Sequence, residues 1–230
     1  MNYTKTTARI ILFFFSFVWV LEVHAFSDAA YTIRLVTGKE CNALTLFVAQ
    51  CRVDLFKGYP YLYEGTVEEG VHSMSAFMEY PHAALAVAYY NNEPVAYITG
   101  NSLVAEMERY FKDYLQVFKN YSIDPQDHYY LPDVIVTPAH RGRGLIKHML
   151  EVIEAYACKL GYAYATLATE SHATHPLKPA EYRELDPLWS KHGFTKTNLM
   201  LSFSWETEQP DGSSKMQDHE LSYWLKKLSK

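Results

Sequence analysis

Three scarcities narrow the function before any motif is read. Basic residues are not in excess: 21 Lys and Arg stand against 26 Asp and Glu in 230 residues, a formal charge of −5. With no basic run or basic helical face to offset this, the chain lacks the electrostatic footprint of a nucleic-acid binder. Cysteine is rare. Its three copies, Cys41, Cys51 and Cys158, cannot all pair, and one helix carrying Cys41 and Cys51 would hold them about 15 Å apart, beyond disulfide reach. They read as small apolar residues, not as a disulfide framework. The ten histidines are scattered and no Cys or His spacing resembles a zinc site, the pair His172 and His175 being too little for one, so no metal is expected. Apolar runs of bilayer length are also missing. Residues 10–21 would rise about 18 Å as a helix, against a hydrocarbon core of roughly 30 Å, so no stable membrane span is expected in a mature chain.

That short apolar run has a context of its own. Lys5 and Arg9 precede it and Val23-His24-Ala25 follows, the three-part layout of a secretory signal peptide. Residues 1–25 are therefore expected to be a signal, with an uncleaved anchor as the alternative. Export to periplasm or medium follows if the signal works, and a cytoplasmic location if it does not.

The remainder divides into residues 26–205, a run of alternating strands and helices, and residues 206–230, expected to be a polar linker and a C-terminal segment. Residues 31–37 alternate in the strand manner, and residues 39–55 carry apolar side chains at helical spacing. After an aromatic loop over 56–65 a second helix is expected at 67–78. Strands at 83–90 and 94–100 flank a three-residue polar turn, Asn91-Asn92-Glu93. Helical period returns at 106–119, a strand spans 129–137, and a long amphipathic helix at 141–160 stops at Gly161. A strand at 163–169, a short helix at 185–192 and a long strand at 194–205 complete the order.

Chemistry concentrates where the strand at 129–137 meets the helix at 141–160. The sequence there is Val134-Ile135-Val136-Thr137-Pro138-Ala139-His140-Arg141-Gly142-Arg143-Gly144-Leu145. A helix N-terminus carries unpaired N–H groups and partial positive charge, glycines let a ligand approach the backbone, and Arg141 and Arg143 add charged donors. The pattern fits a pyrophosphate-bearing ligand. It equally fits a solvated, arginine-rich helix start.

The same residues resemble the coenzyme A signature of the GNAT acyltransferases: Arg or Gln, two residues, Gly, one residue, then Gly or Ala. The chain departs at the last position, where Ile146 stands. The element order over residues 31–205 is also similar to that family, and three stretches, 56–65, 175–182 and 185–194, resemble a bacterial subgroup of it. The resemblance implies an α/β GNAT fold with a mixed central sheet of about six to seven strands flanked by helices. It also implies a coenzyme A cleft between the signature strand and the next strand.

By that resemblance acetyl-CoA is the cosubstrate, a small-molecule or peptide amine is the acceptor, and transfer is direct. Val134, Ile135 and Val136 would pair with the pantetheine arm, the Val134 N–H would meet the thioester carbonyl, and Arg141, Gly142, Arg143, Gly144, Leu145 and Ile146 would hold the phosphates. A carboxylate base is needed for the amine, and Asp133 ranks first, ahead of Glu64 and Glu170; a solvated carboxylate after Pro132 is the other reading of Asp133. Tyr182 is the expected acid for the thiolate. Trp189 and Phe194 read as core, while Tyr59, Tyr61 and Tyr63 either line an acceptor pocket or cap the core. Two other classes stay open. One is an exported binding protein on a GNAT scaffold whose cofactor site has decayed. The other is an interaction module, a homodimer included, docking through residues 106–121 or through a helix at 221–228.

Overall fold

The computed structural model describes residues 30–110, 115–170 and 176–229. The leader-like stretch at 1–25 and the pair His172 and His175 lie outside the described residues.

The elements in chain order are β1 (Tyr31–Thr37), α1 (Thr45–Phe56), α2 (Val67–Met78), β2 (Ala84–Tyr90), β3 (Glu93–Ser102), α3 (Leu103–Tyr110), α4 (Leu115–Asn120), β4 (His128–Tyr130), β5 (Val134–Val136), α5 (Leu145–Lys159), β6 (Tyr164–Glu170), α6 (Asp186–Lys191), β7 (Thr195–Glu208) and β8 (Ser214–Lys227). They build an eight-stranded mixed sheet in the order β1-β2-β3-β4-β6-β8-β7, with β5 beside β3. The α/β architecture expected from the element order is the one observed, with one strand more than the expected maximum.

Strand β2 shows why the sheet is central. It is buried on both faces: Leu85 and Val87 pack into one cluster with Val48, Met74 and Phe77 of α1 and α2, and Ala86 and Ala88 into another with Met149, Val152 and Ile153 of α5. Alternating side chains thus serve two cores. Helix α5 explains its own placement, since Leu145, Met149, Leu150, Val152, Ile153 and Ala157 form one buried face and each large side chain so buried contributes roughly 1.5–3 kcal/mol. A third cluster joins Leu103, Met107 and Phe118 to Leu199, Leu201 and Tyr223 of the last hairpin.

Several expectations change in detail. The β2–β3 turn has two residues, not three: Tyr90 pairs with Glu93, and Asn91 and Asn92 at φ 50° and 68° supply the left-handed geometry that matches strand twist. Cys41 sits in a 3-10 turn at Gly38–Leu44 while Cys51 is in α1, and both are buried free thiols.

The largest correction concerns residues 206–230. They are not a linker with an appended helix. Strand β8 pairs with β6 on one side and β7 on the other, with Tyr223 and Trp224 among the most buried side chains. The domain therefore continues through residue 227. The polar run that suggested a linker is the hairpin tip, where the strands project past the core and no apolar alternation is required.

The expected strand at 129–137 is two strands. Tyr130 opposes Asn101 and Val134 opposes Ile98, so three residues, Leu131, Pro132 and Asp133, face only Thr99 and Gly100. This is a β-bulge, and it sits where Pro132 offers no ladder N–H. Gly100 lets the bulge form, since a Cβ there would come within 2.4 Å of the Tyr129 ring.

Candidate active site

The bulge opens the site. Strand β4 pairs in parallel with β6, and the Leu131 N–H still donates to the Thr166 carbonyl at 2.8 Å. Beyond that point β5 follows β3 while β6 follows β8, so the two edges diverge and a cleft of about 830 Å³ lies between them. This is the cleft between signature strand and following strand that the resemblance implies.

Which backbone groups face the cleft follows from the ladder. Thr99 N–H donates to the Asp133 carbonyl and Thr137 N–H to the Val95 carbonyl, and antiparallel alternation then turns Ile135 toward β3 as well. Ile135 pairs with Tyr97, so its backbone is not available to a ligand, contrary to expectation. Val134 and Val136 present theirs to the cleft. The Val136 carbonyl accepts from Arg141 Nε at 3.1 Å, so among the described residues Val134 is the position on this edge with both its N–H and its carbonyl open to the cleft.

At the far end the loop before α5 has the properties of an anion cradle. Gly142 and Gly144 adopt φ 75° and 77°, a region open to glycine at little cost, and no described atom lies within 4 Å of a Cβ built on either. Gly144 caps α5 with no side-chain hydrogen bond to its first turn, so the helix N-terminus faces solvent with Arg141 and Arg143 exposed beside it. Leu145 is buried in the core. Ile146, the departure from the signature, is half-buried, packs against the core as part of α5, and is not among the positive-φ residues. Its backbone therefore needs no glycine. These groups fit the diphosphate and amide-rich arm of coenzyme A. Trp189 is core, as expected, but it also lines the cleft, and its Nε1–H has no hydrogen-bond partner among the described residues.

A second cavity of about 310 Å³ adjoins the first. Phe56, Tyr61, Pro132 and Ala168 line both, so the two meet at the bulge. The aromatic loop is held there by strand-like bonds: Glu64 N–H to the Glu206 carbonyl and Glu208 N–H to the Leu62 carbonyl, both 2.9 Å. Trp205 Nε1–H donates to the Tyr61 carbonyl at 2.9 Å. Tyr61 and Tyr63 thus line a pocket, and Tyr59 lines the larger cleft.

The four catalytic candidates separate. Asp133 lines the smaller cavity, is 4% exposed, and has Oδ2 3.7 Å from Arg52 Nε. It is no solvated surface carboxylate. Burial pushes its carboxyl above the usual range and Arg52 pulls the other way. Glu64 lies outside both linings and is ion-paired with Lys57 at 3.1 Å. Glu170 ends β6 but is buried against His219 (3.4 Å, Oε2 to Nδ1) and does not line either cavity. Tyr182 lines the larger cleft edge-on to Tyr59 with ring centroids 4.5 Å apart, and burial first, then Glu184, pushes its hydroxyl up to about 12. Tyr61 was not named as an acid from sequence. It alone among the described tyrosines lines both cavities, with its hydroxyl raised chiefly by burial and also by the nearby Glu170, Tyr182 and Asp133. Arg52 and Glu106, the other charged residues of the smaller cavity, carry no local sequence signal, because they come from α1 and α3.

Comparison with known proteins places this geometry. Residues 53–178, more than half of the chain, match the acetyltransferase (GNAT) family, and the chain belongs to that family. Among curated proteins none matches the sequence. Solved structures share the fold at low identity. An N-acetyltransferase from Staphylococcus aureus is 15% identical with a TM-score of 0.51, over 86% of this chain and 99% of that one. An acetyltransferase from Thermus thermophilus is 16% identical with a TM-score of 0.51, over 86% and 97%. The protein yncA from Salmonella typhimurium, solved with its cofactor acetyl-CoA, is 17% identical with a TM-score of 0.50, over 87% and 95%.

Proposed function

We propose that this protein moves an acetyl group from acetyl-CoA to a primary amine by direct transfer. The observation that carries the reading is the meeting of the two cavities at the bulge, with Asp133 on the acceptor side and the open edge of β5 on the donor side.

Acetyl-CoA supplies the activated thioester. Arg141, Arg143 and the N–H groups at the start of α5 hold its phosphates, and Val134 pairs with its arm. The Val134 N–H, aimed into the cleft, stabilises negative charge that develops on the carbonyl oxygen during attack. The acceptor enters the smaller cavity as an ammonium and gives a proton to Asp133, whose proton affinity burial raises above that of an ordinary carboxylate. The freed amine forms the C–N bond, the C–S bond breaks, the leaving thiolate takes a proton from a phenol of the cleft, and the second proton that the nitrogen loses on becoming an amide returns to that phenol through water. Tyr182 is that acid, with Tyr61 at the junction as the competing candidate; burial keeps both hydroxyls protonated.

The test is isothermal titration of acetyl-CoA into the protein and into Arg141→Glu. Micromolar binding that weakens about a hundredfold or more in the variant, the loss of two charge-assisted contacts, is expected. A folded protein that does not bind acetyl-CoA would overturn the reading in favour of a scaffold with a decayed cofactor site.

A further inference from the structure

We propose that the acceptor is a small primary amine on an apolar aromatic body with no carboxylate, an arylalkylamine of the size of phenylethylamine. The inference rests on the acetyl-transfer reading and narrows its acceptor. Size is the first constraint. A cavity of about 310 Å³ holds one ring and a short carbon chain and not a multi-ring amino sugar.

The wall is the second. Phe56, Tyr61, Phe77, Tyr80, Phe203 and Trp205 converge on the cavity from α1, α2 and the turn that follows it, the aromatic loop and β7. A polyhydroxylated acceptor would lose its water against these rings, and the hydroxyls of the lining, Ser73, Thr99 and Ser204 among them, could replace only part of it, a cost that counts against such an acceptor. A flat ring finds faces to stack on. One of these faces is held rigid: His219 stacks on Trp205 with ring centroids 3.6 Å apart and planes within 4°. His219 is in turn fixed by Thr207 Oγ1 at 2.7 Å from Nε2 and Glu170 Oε2 at 3.4 Å from Nδ1. Glu170, one of the three carboxylates that the sequence offers as a base, is here a positioning residue for that wall. Preformed surfaces bind with less ordering cost.

Charge is the third. The lining carries two acids, Asp133 and Glu106, and one base, Arg52. Arg52 lies 3.7 Å from Asp133. Glu106 is 5% exposed and its Oε1 accepts from Asn101 Nδ2 at 2.9 Å, Asn101 being fully buried on β3. A cationic amine is attracted to this wall, whereas an α-carboxylate would enter beside two acids. The site therefore favours a decarboxylated amine over its parent amino acid.

The test compares phenylethylamine, phenylalanine, butylamine, putrescine and kanamycin as acceptors with the full chain and acetyl-CoA, read by thiol release. Binding of each amine in the presence of coenzyme A is measured by calorimetry alongside. Phenylethylamine is expected to exceed each of the others in kcat/KM by about tenfold or more. Glu106→Gln keeps the Asn101 hydrogen bond and should narrow the preference over phenylalanine several-fold with acetyl-CoA affinity unchanged. Phe203→Leu, at a separate point of the wall, should narrow the preference over butylamine. Faster transfer to putrescine, kanamycin or phenylalanine, or failure of phenylethylamine to bind the coenzyme A complex, would overturn the acceptor assignment while leaving acetyl transfer standing. Absence of acetyl-CoA binding would overturn the parent reading and this one with it.

Discussion

Replacing Asp133 with Asn separates chemistry from architecture at the proposed base. The carboxylate is 4% exposed and 3.7 Å from the Arg52 guanidinium. At such a distance two unit charges attract by about 4 kcal/mol at an effective dielectric constant near 20. Arg52 is 31% exposed, so water screens part of that attraction, and burial wins: the carboxyl is held above its ordinary range, with desolvation the larger cause and Arg52 opposing it. Loss of such a base should lower kcat/KM by roughly 10²–10⁴-fold. Acetyl-CoA affinity should hold, because Asp133 is not part of the donor cleft lining. The parent enzyme should gain activity with rising pH as Asp133 ionises, and the variant should lose that limb. Arg52→Gln removes the group that favours the ionised form and should move the limb to higher pH. Stability should run the other way. A carboxyl with a folded-state pKa above its unfolded value favours the fold below the unfolded pKa, and that advantage disappears as pH rises through the folded one. Above its folded-state pKa ionised Asp133 therefore weakens the fold, and Asp133→Asn should unfold at the same or a higher temperature there, while activity is lost. Thiol-release kinetics across pH, paired with thermal unfolding, reads both quantities. Activity retained to within a few-fold, or a fall in stability that accompanies the fall in rate, would refute the assignment of Asp133 as base.

Two further outcomes test the frame around it. Gly144→Ala places a Cβ on a residue at φ 77° with no described atom within 4 Å to clash with; it should cost about 1 kcal/mol by backbone strain alone and weaken acetyl-CoA binding, measured by denaturant unfolding and calorimetry, and an unchanged midpoint would contradict the αL cap. Gly100→Ala would press a methyl to 2.4 Å from Tyr129 and 3.0 Å from Ile153. About 1–3 kcal/mol of overpacking is expected, and full stability in urea would mean that the bulge does not need that contact.

How much of this was legible depended on whether a feature is local. The capping box of α2, in which Thr66 Oγ1 accepts from Glu69 N–H while Glu69 accepts from Thr66, and the glycine-punctuated start of α5 are each encoded in a few consecutive residues, so their elements were readable to within a few positions. Which residue of β5 faces the cleft was not, since the resemblance implied Val134, Ile135 and Val136 alike and only pairing with β3 separates them. The bulge was not, since Pro132 announces a break but only pairing with Thr99 and Gly100 shows three residues against two. Strand β8 was missed because its outer half carries no apolar alternation, and its inner half takes its place only once β6 and β7 stand on either side of it.

The sequence by itself determined the family, the α/β order and the glycine-punctuated entry to α5, because backbone conformation at Gly142 and Gly144 and the amphipathic face of α5 are properties of short segments. Tertiary structure alone decided the surroundings of the three candidate carboxylates. Asp133, Glu64 and Glu170 are the same chemistry in sequence, and they part because one is buried beside Arg52 on a cavity wall, one reaches Lys57 outside the cavities, and one is closed in against His219. Partners from α1, the aromatic loop and β8 set those environments. Such contacts bring together residues far apart in the chain, which no short segment of sequence records, and burial there raises the proton affinity of Asp133.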